Sequence, residues 1–561
     1  MLDSADRRAF LSVMGSLGLG GTLLPGVLWA DVARGADVTA ASIAAAEEIA
    51  GITLTDEHRG LLLERLKAQV RQQAALYRLT IPNDVAPAVQ FSASVPGAPS
   101  PKQAPKAVAK PARLPDPADA TALAFATIPQ LGALLRARRV TSEQLVQLSL
   151  DRIRTLDPRL SCTVNTLADR ALARARELDA EARSGKFRGP LHGIPFGAKD
   201  LLAAKGAPTT WGISLYKDRV IDADATVIQR LEAAGAVLTA KLSLGELAQG
   251  DIWFGGTTKN PWKLDQGSSG SSAGSASAVS AGIFAFAIGS ETLGSISSPS
   301  TRCGVSGLRP TFGRVPRTGA MALSWSMDKL GPIARNAEDC ALVLHAIHGS
   351  DGADPTAQDR PYQWDATRSL RNLRVGYFEA LFKQERPTKA FDDASLEALR
   401  KGGAALVSKE LPAFPYDLLR VILNAEAAAA FDGITRSGEV GTMVQQGPNA
   451  WPTTFRLGRF LPASDYLNAN RARTQAMALW EPLFRDVDVI VAPTNSQQLI
   501  ATNFTGHPAV IVPNGFRDDN TPVSITFLGP LWGEAQALAA AHQFQQLTDW
   551  HGRVPVGVRG A

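Results

Sequence analysis

The sequence predicts an α/β fold: a single large domain in which a mixed central β-sheet is covered by helices, preceded by a helical N-terminal appendage. Three observations predict it. Short apolar runs with strand character recur at residues 236–240, 487–492 (VDVIVA) and 509–512 (AVIV). Helical stretches alternate with them, as at 227–234, where Gly235 suits the C-terminal cap. No internal repeat at solenoid periods interrupts the alternation. The chain has 561 residues, 45% hydrophobic and 20% charged, which describes a globular protein with a large core. The net charge of +5 is spread thinly, with no compact Lys/Arg run interleaved with aromatics, so nucleic acid is not an expected partner. Three cysteines cannot build a disulfide framework.

Taken in order, residues 1–36 come first. Arg7 and Arg8 precede Phe10-Leu11 and a Gly-rich, moderately apolar segment interrupted by Pro25. This resembles a twin-arginine export signal, with a cleavage point near Ala30 or Ala36. It implies transient contact with the export machinery and a periplasmic or extracellular location. Residues 37–91 form the appendage. Its Ala, Glu, Leu, Arg and Gln are strong helix formers. Thr55 reads as a cap, and Leu61, Leu62, Leu66 and Val70 follow at helical spacing. Residues 92–117, rich in Pro, Ala and Lys, read as an extended linker. The body spans 118–561. A helix is expected over 128–157, ended by Pro158. A second is expected over 167–184, ended by Gly185.

The most informative stretch is the Gly/Ser run GSSGSSAGSASAVSAG (267–282), which leads into the apolar IFAFAIG and then SETLGSISSPSTRCGVSGLRPT. Small residues let backbone N–H groups approach a ligand closely, and the serines supply hydroxyl nucleophiles. The run fits an acyl-transfer site, with Ser295 as the attacking residue. Four ordered motifs, GIPFGAKD (193–200), SGSSAGSASA (269–278), SETLGS (290–295) and CGVSGLRPT (303–311), resemble the amidase signature family over roughly 118–555. The C-terminal NFTGHPAVIVPNGF (503–516) is similar to the family's ending.

The resemblance implies roles residue by residue. Ser295 matches the acyl-forming nucleophile. Ser271 matches the bridging serine, which follows a cis peptide bond in the family, and Lys199 matches the base. The repetitive run leaves Ser268 as a rival for Ser271. The family's two serines lie 24 positions apart, which selects Ser271. Backbone N–H groups of Thr292, Leu293, Gly294 and Ser295 match the oxyanion hole. No cofactor and no metal is implied.

Physical chemistry supports these roles. An alcohol is a weak nucleophile until a positioned base takes its proton. A lysine performs that task only when neutral, which costs roughly 4–5 kcal/mol near pH 7 unless the site shifts its pKa. Burial beside the apolar IPFGAK segment supplies the shift. The adjacent Asp200 would oppose it and is expected to point away. The chain also departs from the family pattern. Leu293 stands where Gly is usual, Glu291 for Asp, Ala273 for Gly and Ser297 for Arg. The last puts the support of the loop in doubt.

Competing readings are weaker. Gly270–Gly274 matches GxSxG around Ser272, but an elbow needs a strand before it, and KLDQGSS does not read as one. Ser326 and Lys329 form an SxxK without its companion motifs. Cys303 reads as packed rather than nucleophilic, Lys241 and His507 as structural. His345 and His348 lack a third ligand. The expected function is hydrolysis of a carboxamide C–N bond in a small-molecule or peptide amide. The alternatives are the glutaminase-type subunit of an amidotransferase and an inactive binding protein. Acyl and leaving-group pockets are expected from 210–225 and 415–470, where Trp211, Tyr216, Phe431, Trp451 and Phe455 serve either as pocket walls or as core. The oligomeric state stays open.

Overall fold

The computed structural model describes residues 38–50, 52–76, 78 and 113–558. The export signal expected over 1–36 and the linker's residues 92–112 lie outside the described residues. Described residues within 38–78 belong with Pro415–Gln475 in one compact unit, and 113–414 with 476–558 in another.

The first unit contains the expected helical hairpin. Its helices are Ala40–Ala50 and Asp56–Leu76. Thr55 caps the second, its Oγ1 accepting from the His58 N–H. The Glu47 carboxylate closes the hairpin by accepting from Leu54 N and from Arg59 Nε. Leu62 and Leu66 are buried against Ile43, Ile52 and Leu457, with Val70 partly buried beside them. Leu457 lies on helix Trp451–Gly458 of the same unit. Phe455 stacks on Trp451 at 5.4 Å and meets Phe431 at 5.0 Å, and all three are buried.

The second unit is built on an eleven-stranded mixed sheet. Its strands are β1 (Thr163–Thr166), β2 (Pro195–Lys199), β3 (Val237–Leu242), β4 (Phe286–Glu291), β5 (Ser306–Arg309), β6 (Lys329–Ala334), β7 (Arg374–Phe378), β8 (Ala405–Lys409), β9 (Val489–Pro493), β10 (Ala509–Phe516) and β11 (Pro522–Leu528). Their spatial order is β1-β3-β2-β4-β6-β5-β10-β11-β9-β7-β8. β2 runs parallel to both β3 and β4, whereas β6 is antiparallel to β4 and β5. The central strands β2, β3, β4 and β6 are buried along their whole length, as strands covered on both faces must be.

Two local readings are corrected by the structure. The helix expected over 128–157 is two helices, Ile128–Arg136 and Ser142–Leu160. Thr127 and Gln130, then Thr141 and Gln144, each form a complete capping box, so the chain starts a helix twice. Pro158 lies inside the second helix, where a last-turn proline forfeits one backbone bond. The stop comes at Ser161, in a left-handed conformation (φ 48°). The segment ahead of the Gly/Ser run, not expected to be extended, is a strand. Lys263–Gly267 pairs with Lys259–Asn260 in a two-stranded ribbon separate from the central sheet. The helix expected at 167–184 spans Ala168–Arg183, and Gly185 follows with φ 79°.

Candidate active site

β2 and β4 bring the first two components together. They are parallel neighbours with Ala198 opposite Ile288, so Lys199 at the end of β2 emerges beside Ser290 near the end of β4. The third component arrives through the Gly/Ser run. After the ribbon strand, Gly270 and Ser271 are joined by a cis peptide bond, and Ala273 begins a helix that runs to Ser280. Every residue of this helix is buried. Its small side chains permit that. A Cβ on Gly274 would lie 2.3 Å from the Cys162 carbonyl oxygen and 2.5 Å from Ser243 N. The helix serines satisfy neighbouring carbonyls: Ser275 Oγ donates to Ile288 O at 3.0 Å, and Ser277 Oγ to Lys259 O at 2.8 Å. Much of the serine content is therefore structural.

Lys199 is 0% exposed. Its Nζ lies 2.8 Å from Ser271 Oγ, 3.1 Å from Ser272 Oγ and 2.9 Å from Ser290 Oγ. Ser272 is fixed in turn, donating to Ser290 O at 3.0 Å and accepting from Ser290 N at 3.1 Å. Burial pulls the Lys199 pKa down to about 7, against the opposing pull of the Asp328 and Glu291 carboxylates. Asp200 is turned elsewhere. It forms a buried ion pair with Lys241 at 2.6 Å and accepts from the Thr210 N–H at 2.9 Å. Ser268 Oγ bonds to the Ser269 carbonyl rather than to Lys199.

Ser295 sits on the loop after β4, partly exposed, while Lys199 and Ser271 are buried. Its carbonyl accepts from the Ser272 N–H at 3.1 Å, which ties the loop to the residue after Ser271. Among the described residues, the backbone N–H groups of Leu293, Gly294 and Ser295 meet no protein acceptor. Gly294 takes the left-handed conformation in this loop (φ 99°), so Leu293 does not need it. Thr292 is held by its side chain, whose Oγ1 donates to Asp328 Oδ1 at 2.5 Å.

The doubt raised by Ser297 is resolved by Glu291. One carboxylate oxygen accepts from Ile296 N (2.9 Å), Ser297 N (2.8 Å) and Ser297 Oγ (2.8 Å). The other accepts from Arg309 Nη1 (2.9 Å) and Asn503 Nδ2 (2.8 Å). Burial alone would push Glu291 up, but the Arg309 and Lys329 charges and the Ser297 N–H hold it down at about 2. Arg309, from β5, thus supplies the cation that position 297 lacks. Sequence reasoning missed this pairing because the two residues meet only across the folded sheet.

Other nominated residues lie apart from this chemistry. Cys303 is buried, its thiol donates to Ser268 O at 3.8 Å, and burial pushes its pKa up. The His507 ring stacks against Phe484, and its Nδ1 bonds to Thr505 Oγ1. His345 and His348 pack around Tyr362. Ser272 does follow a strand and precede a helix, but its hydroxyl is enclosed by Lys199 and Ser290, unlike the exposed hydroxyl of an elbow nucleophile. The Arg219 guanidinium lies over both the Trp211 and Tyr216 rings, at 3.8 and 4.0 Å, and the two rings meet edge to face.

A buried lysine bonded to Ser271, beside a loop that carries Ser295 and N–H groups without a protein acceptor, suits the class of serine-dependent amide hydrolases. The amidase family model matches residues 144–502, and the chain belongs to the amidase signature family, whose enzymes hydrolyse amides. A glutamyl-tRNA(Gln) amidotransferase subunit from Methylococcus capsulatus is 34% identical over 481 residues, covering 77% of this chain and 99% of that one. The peptide amidase of Stenotrophomonas maltophilia superposes with a TM-score of 0.67 at 31% identity, covering 75% of this chain and 97% of that one. A bacterial aryl acylamidase shares the fold, with a TM-score of 0.70 at 21% identity over 78% of this chain and 99% of that one.

Proposed function

We propose that the chain hydrolyses a carboxamide through a Ser295 acyl-enzyme, with Ser271 and Lys199 as the proton relay. The observation that carries this reading is the Lys199 environment. A neutral amine offers two N–H donors and one lone pair, and three hydroxyls surround it. With the N–H groups given to Ser272 and Ser290, the lone pair faces Ser271 Oγ at 2.8 Å. As Ser295 Oγ attacks the amide carbon, its proton passes to Ser271, and that of Ser271 to Lys199. The carbonyl oxygen gains negative charge and is stabilised by the loop N–H groups from Thr292 to Ser295. Lys199 returns the proton through Ser271 to the departing amine, and the C–N bond breaks. Water then attacks the ester by the same relay, releasing the acid and restoring Ser295. Lys199→Ala, purified folded, is expected to lose about 10²–10⁴-fold in kcat, the usual worth of a positioned base. Undiminished turnover at neutral pH would overturn the mechanism.

A second reading, a glutaminase-type subunit, is supported by the amidotransferase relatives that match at 34% identity along 99% of their length. Ammonia release from simple amides by the isolated chain favours the free-standing hydrolase. Release only from glutamine in the presence of partner subunits favours the other. The same proposal has the enzyme exported, which the Arg7-Arg8 pair before a Gly-rich apolar segment supports. Changing both arginines to lysine is expected to retain the protein inside the cell, and unchanged export would remove that part of the reading.

A further inference from the structure

A cavity of about 430 Å3 adjoins the candidate site, and neither of the segments expected to form substrate pockets, 210–225 and 415–470, lines it. It borders the candidate site through Ser290, whose Oγ lies 2.9 Å from Lys199 Nζ, and Thr292, at the start of the N–H loop, both of which line it. Leu201, Met321, Leu323 and Leu330 give it apolar walls.

Three charged groups, Arg317, Asp328 and Asp354, line the cavity, and all are engaged within the protein. Arg317 donates to Asp354 at 3.0 Å through Nε, to Thr356 Oγ1 at 2.8 Å through Nη2 and to the Trp325 carbonyl at 2.6 Å through Nη1. Asp328 accepts from Thr292 Oγ1, Leu323 N and Ser324 N. A charged substrate group entering here would lose its water without a free counter-charge, which is costly, whereas an apolar group would gain by leaving water. At the rim stands Trp325, 49% exposed and the one aromatic among the large apolar side chains that the described residues expose. Its backbone is held by Arg317, so its position is set while its indole stays open to solvent.

We propose that this cavity receives an uncharged, apolar group of the amide substrate, of aryl or branched-alkyl size, with the Trp325 indole closing over it. The inference rests on the amide-hydrolase reading and names its substrate class. Phenylacetamide, its para-carboxylate analogue and acetamide are compared as substrates of the wild-type protein, Trp325→Ala and Ala322→Phe, the last of which fills the cavity from its wall. The wild-type kcat/KM is expected to favour phenylacetamide over each of the others by at least tenfold. Both variants are expected to cut the phenylacetamide-to-acetamide ratio at least tenfold, mainly through KM. A wild-type preference for the charged or the small amide, or a ratio unmoved in both variants, overturns the inference and leaves the hydrolase reading standing. If no amide is turned over, the hydrolase reading falls, and calorimetry still decides the cavity. Phenylacetamide is expected to bind Ser295→Ala at least tenfold more tightly than the Ser295→Ala/Ala322→Phe double variant. Equal binding would overturn the cavity assignment.

Discussion

A lysine amine stays neutral near pH 7 only where water is kept from it and no carboxylate bonds to it. Lys199 meets both conditions: it is fully buried, and its hydrogen-bond partners are three serine hydroxyls and, at 3.5 Å, the Ser290 carbonyl. Its neighbour Asp200 is occupied by Lys241 and Thr210, which removes the nearest source of opposing charge. Because the protonated amine cannot act as a base, activity is expected to follow the neutral fraction. With a pKa of about 7, kcat/KM should rise roughly tenfold per pH unit below that value and level off above it. A pH–rate profile on any accepted amide reads this directly. A plateau that continued unbroken to pH 5 would mean that Lys199 is not the group titrating in the rate.

At the scale of elements, the loop from Thr292 to Ile296 is held from both ends. Thr292 is fastened to Asp328, while Ile296 and Ser297 are fastened to Glu291, whose charge is balanced by Arg309. Removing one partner of a buried ion pair leaves the other uncompensated, at a cost of about 3–5 kcal/mol. Glu291→Gln is therefore expected to lower unfolding stability by about that amount, measured by denaturant titration. The same variant should depress kcat as the N–H donors lose their alignment. The helix Ala273–Ser280 has the opposite vulnerability, because it is too closely packed to accept atoms. Gly274→Ala places a methyl group 2.3 Å from the Cys162 carbonyl oxygen. The helix must shift, costing about 1–3 kcal/mol. Ser271 and Ser272 at its start shift with it, so turnover should fall alongside stability. A variant as stable and active as the parent would show that the contact relaxes freely.

At the scale of the whole molecule, the residues of the proposed chemistry fall in one unit. Lys199, Ser271 and Ser295, with the loop N–H groups, all belong to the unit built on the eleven-stranded sheet. The N-terminal hairpin belongs to the other unit, where Leu62 is fully buried with Ile43 and Leu457. Leu62→Ala is expected to cost about 2–5 kcal/mol. Its signature should be earlier loss of hydrogen-exchange protection in residues 40–76 and 451–458 than in the central strands. Simultaneous loss throughout would show that the chain unfolds as one cooperative body.

Much of this protein was legible before folding was considered. The α/β class, the buried strands and the helical hairpin follow from apolar periodicity, which is a local property. The ordered Lys and Ser motifs, through their resemblance to the amidase signature, nominated Lys199, Ser271 and Ser295. Other features were not legible there. Ser271 rather than Ser268, and an Asp200 turned away, are expected from the sequence, but not that Lys241 is what holds Asp200, which depends on the pairing of β2 with β3. The support of the loop from Thr292 to Ile296 moved from position 297 to Arg309, eighteen residues on from Glu291, because two strands of the sheet put them in contact. The cavity behind Trp325 is walled by residues from 201 to 356, none of them distinctive alone. Residue types and their local spacing were determined by the sequence itself. Which charges meet and where apolar walls enclose space were decided only by the tertiary structure, because burial and opposition across strands arise between segments far apart in the chain.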